Sequence, residues 1–121
     1  MIEVTETKAV DTINTYPLVH VTWHKENCPV CEYFLPELEG IEESLSEWKF
    51  LSVNSTEHRR IAKQVLWEPT TFPITYLFVN GVRIFVAAGA APLDAVVQTH
   101  NAIAEGTWVD PNREVDSGSS E

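Results

Sequence analysis

Apolar and polar positions fall into two alternating rhythms along this chain, and the switches between them mark out its elements. Residues 2–5 alternate as a short strand does, and residues 7–15 carry Ala9, Val10 and Ile13 at helical spacing and stop short of Pro17. Residues 18–23 are almost continuously apolar and β-branched, the pattern of a central, parallel strand covered on both faces. A helical period follows in Tyr33, Phe34, Leu38, Ile41 and Leu45. Pro36 lies inside it and removes one i→i−4 hydrogen bond, so a kink is expected, and Gly40 offers a second place to bend or divide. Residues 48–54 read as another core strand, and Ser55 or Thr56 caps a helix expected to run to about Leu66. Between Glu68 and Pro73 two prolines make a stiff loop. Residues 74–79 and 82–87 are strands joined by Asn80-Gly81, the turn signal of a tight hairpin. Gly89 permits a turn into a last helix over residues 92–104, and beyond Gly106 the chain turns polar and acidic.

The order is β α β α β α β β α. Three crossovers imply a parallel portion and the hairpin supplies antiparallel strands at one edge, so a mixed sheet between layers of helices is expected. With 121 residues, 44% of them hydrophobic, the chain has enough apolar surface for one core and too little length for two. The division is a domain over residues 1–105 and a disordered acidic tail over 106–121. A net charge of −10 argues against nucleic acid and anionic membrane as partners, because both select basic surfaces. No apolar run approaches the roughly 20 residues of a membrane span. The first residues show no basic flank or apolar signal core, which points to the cytosol.

The chemistry concentrates in Glu26-Asn27-Cys28-Pro29-Val30-Cys31, which holds both cysteines of the chain at the junction between the central strand and its helix. A thiol at a helix N-terminus faces unpaired N–H groups and the positive end of the macrodipole, and both favour the thiolate. Cys28 is therefore read as the more acidic and more exposed thiol. Pro29 suits the first helical position, where an N–H would lack a partner. Cys31, one turn on, can reach back to Cys28, so Cys28 exchanges with a partner disulfide and Cys31 resolves the mixed disulfide. Lys25 would lower the Cys28 pKa and Glu26 would raise it. The glutamates following Cys31 are read as a solvated helix face.

Taken together, Cys-x-x-Cys after the central strand, Pro36 five residues past the second cysteine, Phe72-Pro73 before the hairpin, Asn80-Gly81 at its turn and Gly89 before the last helix resemble the thioredoxin family over most of residues 1–105. The resemblance implies an α/β thioredoxin fold: a central mixed sheet, parallel strands plus a C-terminal antiparallel hairpin, flanked by helices on both faces. It also implies a cis Pro73 against the cysteine pair, with Phe72 offering backbone N–H and C=O groups to an extended substrate, and Pro29 and Val30 completing that wall. Departures are equally specific. Asn27 stands where the family carries Trp, and the Pro29-Val30 pair is closer to glutaredoxins, which have a Cys-Pro-Tyr-Cys site. The family's buried aspartate and its lysine partner fall on Thr22 and Phe50. Proton transfer at Cys31 would then use water, Glu26 or His24.

The implied activity is reduction of protein disulfides by a monomer that needs no cofactor and draws electrons from a reductase or small thiol. An adaptor domain acting by protein–protein interaction is the alternative. His24 with Cys28 and Cys31 could supply three metal ligands, with His58 or His20 a fourth, but a second regularly spaced ligand pair is missing and no metal is assigned. His24 is instead a candidate for tuning Cys28. His20 is expected in the core or at an edge, hydrogen-bonded, and His58 and His100 on the surface. Trp23, Trp48 and Trp67 are core candidates, with Trp67 able to line the substrate groove, and Trp108 is free to pack back on the domain or to anchor a partner.

Overall fold

In the computed structural model, residues 1–55 and 72–108 are described. The elements are β1 (Ile2–Glu3), α1 (Glu6–Thr15), β2 (Leu18–His24), α2 (Pro29–Glu42) followed by a 3₁₀ turn (Glu43–Leu45), β3 (Lys49–Asn54), β4 (Ile74–Val79), β5 (Val82–Ala88) and α3 (Leu93–Glu105). The helix expected from Ser55 or Thr56 to Leu66, together with His58, Trp67 and residues 109–121 of the tail, lies outside the described residues.

Five strands form one sheet in the order β1-β3-β2-β4-β5. β2 is central: it pairs parallel with β3, Val21 opposite Leu51, and antiparallel with β4, Thr22 opposite Thr75. The alternation of β2 sends Val19, Val21 and Trp23 to one face, where they meet Ala9 and Ile13 of α1 and Ile74, Tyr76 and Phe78 of β4. The other face carries His20 and Thr22 and is covered by α2 and α3, with Leu45, Trp48, Phe50, Leu77 and Ile103 as its apolar cluster. Burying each such side chain is worth about 1.5–3 kcal/mol, and the two clusters sandwich the sheet.

One local expectation is corrected. α2 runs unbroken through Pro36 and Gly40 rather than dividing. Pro36 and Glu32 are both exposed, so the carbonyl that proline leaves unpaired faces water and costs little. The helix gives way only at its end, to the 3₁₀ turn. At the far terminus, Gly106 caps α3 in the left-handed conformation, Thr107 and Trp108 N–H both donate to Ala102 O, and Trp108 packs edge-on against Phe85.

Candidate active site

The strand-to-helix junction after β2 is built by local rules. Asn27 adopts φ 58°, a left-handed conformation that asparagine tolerates better than most residues, and this turns the chain from β2 into α2. Cys28 is the N-cap of α2 and Pro29 the first helical residue. Cys31 N–H donates to Cys28 Sγ at 3.2 Å, so the cap is a sulfur atom placed against an otherwise unpaired helical amide. Cys28 and Cys31 are joined by a disulfide. Ser55 N–H and Oγ both donate to His24 O, at 2.7 and 3.0 Å, and tie the end of β3 to the end of β2 just before the turn.

Facing this pair is the segment that enters β4. The Phe72–Pro73 bond is cis, Pro73 is fully buried, and Phe72 O lies 3.7 Å from Cys28 Sγ. Gly89 N–H donates to Pro73 O at 2.6 Å, which fixes the loop to the end of β5. Cys28 is 6% exposed against 2% for Cys31, the more exposed of two buried cysteines. The exposed apolar surface beside the disulfide belongs to Val30 and Tyr33 of α2. Lys25 Nζ lies 5.4 Å from the centre of the Phe72 ring, in cation–π contact. The His24 ring faces Glu3 Oε1 at 3.4 Å. Among the described residues no group of three or more His, Cys, Asp or Glu side chains is disposed to hold a metal ion.

The larger correction concerns His100, expected on the surface and found buried in α3. Its Nε2 lies 2.9 Å from His20 Nδ1, and its Nδ1 lies 2.8 Å from Val96 O. His20 Nε2 is 2.7 Å from Thr22 Oγ1, which is 2.9 Å from Thr75 Oγ1. The His20 ring stacks on Phe50, and Trp48 meets His100 edge-on. Burial, with help from His100 and the Met1 amino group, holds the His20 pKa well below its usual 6.5. Burial also lowers that of His100, against the opposing pull of the Val96 carbonyl and the Glu47 carboxylate. The signal was present in the sequence: Leu93, Val96, Val97, His100 and Ile103 share one helical stripe, so His100 occupies a core position of α3.

Comparison with solved structures finds the same architecture throughout. The oxidised thioredoxin of Plasmodium falciparum superposes with a TM-score of 0.76 at 21% identity, covering 86% of this chain and 98% of that one. Thioredoxin f2 of Chlamydomonas reinhardtii gives 0.72 at 16% identity, covering 90% and 99%. A mutant thioredoxin of Halobacterium salinarum gives 0.73 at 19% identity, covering 91% and 93%. The chain has the thioredoxin fold. No family model matches the chain, and no curated protein matches it in sequence. Within the thioredoxin fold the Cys28–Cys31 pair sits at the N-terminus of α2. Thr22 is one link of a hydrogen-bonded chain of histidines and threonines.

Proposed function

We propose that the protein is a thiol–disulfide oxidoreductase that reduces protein disulfides. The observation that carries this reading is Cys28 at the N-cap of α2, bonded to Cys31 and accepting the Cys31 amide at 3.2 Å. In the reduced protein the same amide and the positive end of the helix favour the Cys28 thiolate. That thiolate attacks one sulfur of a partner disulfide, and the partner's other sulfur leaves as a thiolate. Cys31, once deprotonated, attacks Cys28 Sγ, expels the partner's remaining thiolate and forms the Cys28–Cys31 disulfide. Two electrons have then passed to the partner, and a reductase or small thiol returns them.

The partner segment is held by Pro29 and Val30 on the α2 side and by Phe72 opposite, with the buried cis Pro73 setting the course of the Phe72 backbone. Val30 is exposed, and the Phe72 carbonyl beside Cys28 is placed to accept from the backbone of an extended chain. No helix among the described residues is long and apolar enough to cross a membrane. We read the protein as a monomer of the cytosol, a reading its acidic composition is compatible with.

The test is a redox titration of Cys28–Cys31 against dithiothreitol and glutathione mixtures, read by alkylation mass shift, with an insulin-reduction assay beside it. A reversible two-electron couple between about −220 and −280 mV is expected, as for cytosolic reductases. In the assay Cys28→Ser abolishes turnover, and Cys31→Ser accumulates a mixed disulfide through Cys28. Absence of a reversible couple, or partner capture that survives Cys28→Ser with no turnover in the wild type, overturns the enzyme reading in favour of an adaptor.

A further inference from the structure

Between the sheet and the helices α2 and α3 lies a cavity of about 110 Å³. Among the described residues its inner wall is buried: His20 of β2, Phe34 and Leu38 of α2, Thr75 of β4 and His100 of α3. Its mouth is built from small residues. Gly89 and Ala91, at the corner between β5 and α3, are half-buried, and Ala95 in the first turn of α3 is exposed. A Cβ built on Gly89 would meet nothing within 4 Å, so this side of the mouth is open. Ala87 of β5 pairs with Thr75 across the ladder, so the two side chains leave the sheet on the same face, toward the cavity.

The polar groups of the inner wall are already bonded to one another, in directions that follow in turn. A carbonyl only accepts, so His100 Nδ1, 2.8 Å from Val96 O, carries a proton and donates it. In the neutral ring His100 Nε2 is then bare, and the donor across the 2.9 Å contact is His20 Nδ1. Neutral His20 leaves Nε2 bare, so Thr22 Oγ1 donates to it at 2.7 Å, and Thr75 Oγ1 donates to Thr22 across the last 2.9 Å. In this chain no donor and no ring nitrogen is left over. What the two imidazoles offer the cavity is therefore ring surface, and the rest of the wall is almost wholly apolar. Such a space stays dry, and a dry cavity of roughly 150 Å³ lined by aliphatic and aromatic side chains admits one benzene.

We infer that this cavity is a binding site for a small apolar aromatic molecule of a single ring, and the inference does not depend on the thiol chemistry proposed above. Size sets one limit, since the volume accepts about one six-membered ring. The wall sets the other. The His20 and His100 rings lie 5.1 Å apart with 26° between their planes, a nearly flat platform. Phe50 backs it, stacked 4.3 Å from His20 and within 7° of the plane of His100, and Phe50 does not line the cavity. The ligand ring lies against the platform on the side away from Phe50, offset-stacked as aromatic pairs prefer, with Phe34 and Leu38 beside it. It enters past Gly89, Ala91 and Ala95, where no bulky side chain stands in the way.

The experiment titrates benzene into the oxidised full chain and follows the methyl signals of Leu38, Ala91 and Ala95 by NMR. Saturable ring-current shifts are expected, with a dissociation constant on the order of 1 mM, within what six carbon atoms can supply. Ala87→Leu puts a larger apolar side chain opposite Thr75 and is expected to abolish the shifts. Should that variant not fold, Ala95→Leu decides the matter, because it narrows the mouth from an exposed helical position and is expected to weaken binding. Benzene should raise the urea midpoint of the wild type and leave that of the blocked variant unmoved. Cyclohexane, which has no flat face to lay on the imidazoles, is expected to bind about threefold or more weakly than benzene. Shifts that do not saturate, binding unchanged in the folded blocked variant, or equal affinity for cyclohexane overturns the proposal.

Discussion

Thr5 accepts the Lys8 N–H at 3.2 Å from an extended backbone and caps the start of α1. Thr5→Ala is expected to lower stability by about 1 kcal/mol, seen as a shifted urea midpoint with an unchanged slope, and Thr5→Ser to recover most of it. At this scale what could be read in the sequence depended on whether a residue acts through its neighbours in the chain. Cys28, Pro29 and Cys31 do, and their places at the helix mouth, at its first position and within its first turn followed from spacing. His24 and Lys25 do not: one faces Glu3, the other Phe72, and those pairings arise from strand register and a loop that no local rule sets. His100 was misread because a polar residue on a helix suggests solvent, although its place on the stripe of α3 said core. Its companion His20 makes that position affordable by supplying the donor that His100 Nε2 needs.

At the scale of elements, the hairpin was the most legible part of the chain. Its turn residues adopt φ 51° at Asn80 and 84° at Gly81, both in the left-handed region that a two-residue loop of this kind demands. The strands on either side, Ile74–Val79 and Val82–Ala88, lie within one residue of their expected bounds. A Cβ built on Gly81 would meet Asn14 Oδ1 at 3.6 Å, an ordinary contact, so the cost of a side chain there is conformational. Gly81→Ala is therefore expected to destabilise the fold by about 1–2 kcal/mol, again by urea unfolding, while Gly40→Ala, in a helix with open space around it, should stabilise by about 0.5–1 kcal/mol. The interior of α2 was less legible. Proline counts against a helix by its missing donor, but the penalty depends on which face the orphaned carbonyl occupies, and that is known only once the sheet has taken the other face.

For the whole molecule, the mixed sheet, its edge hairpin and its two-layered covering followed from the alternation of elements, whereas the buried histidine pair exists only because β2 and α3, distant in sequence, meet on one face of the sheet. That pair couples protonation to folding. Both imidazoles are held below 6.5 in the native state, chiefly by burial, and are released to that value on unfolding. Below about pH 6.5 the unfolded chain therefore binds more protons than the folded one, and stability falls as pH falls. Above it both states are neutral at these sites and the two histidines contribute no slope. Each histidine adds up to about 1.4 kcal/mol of loss per pH unit below its unfolded value, so unfolding at about pH 5.5 should require roughly 1–3 kcal/mol less than at pH 7.5. Staying above the range where carboxylates protonate keeps relief of the −10 net charge from masking the effect. Stability that stays flat or rises between pH 7.5 and 5.5 in urea titrations would mean that the pair charges without loss of the fold, and with it the fixed direction of its hydrogen bonds would go.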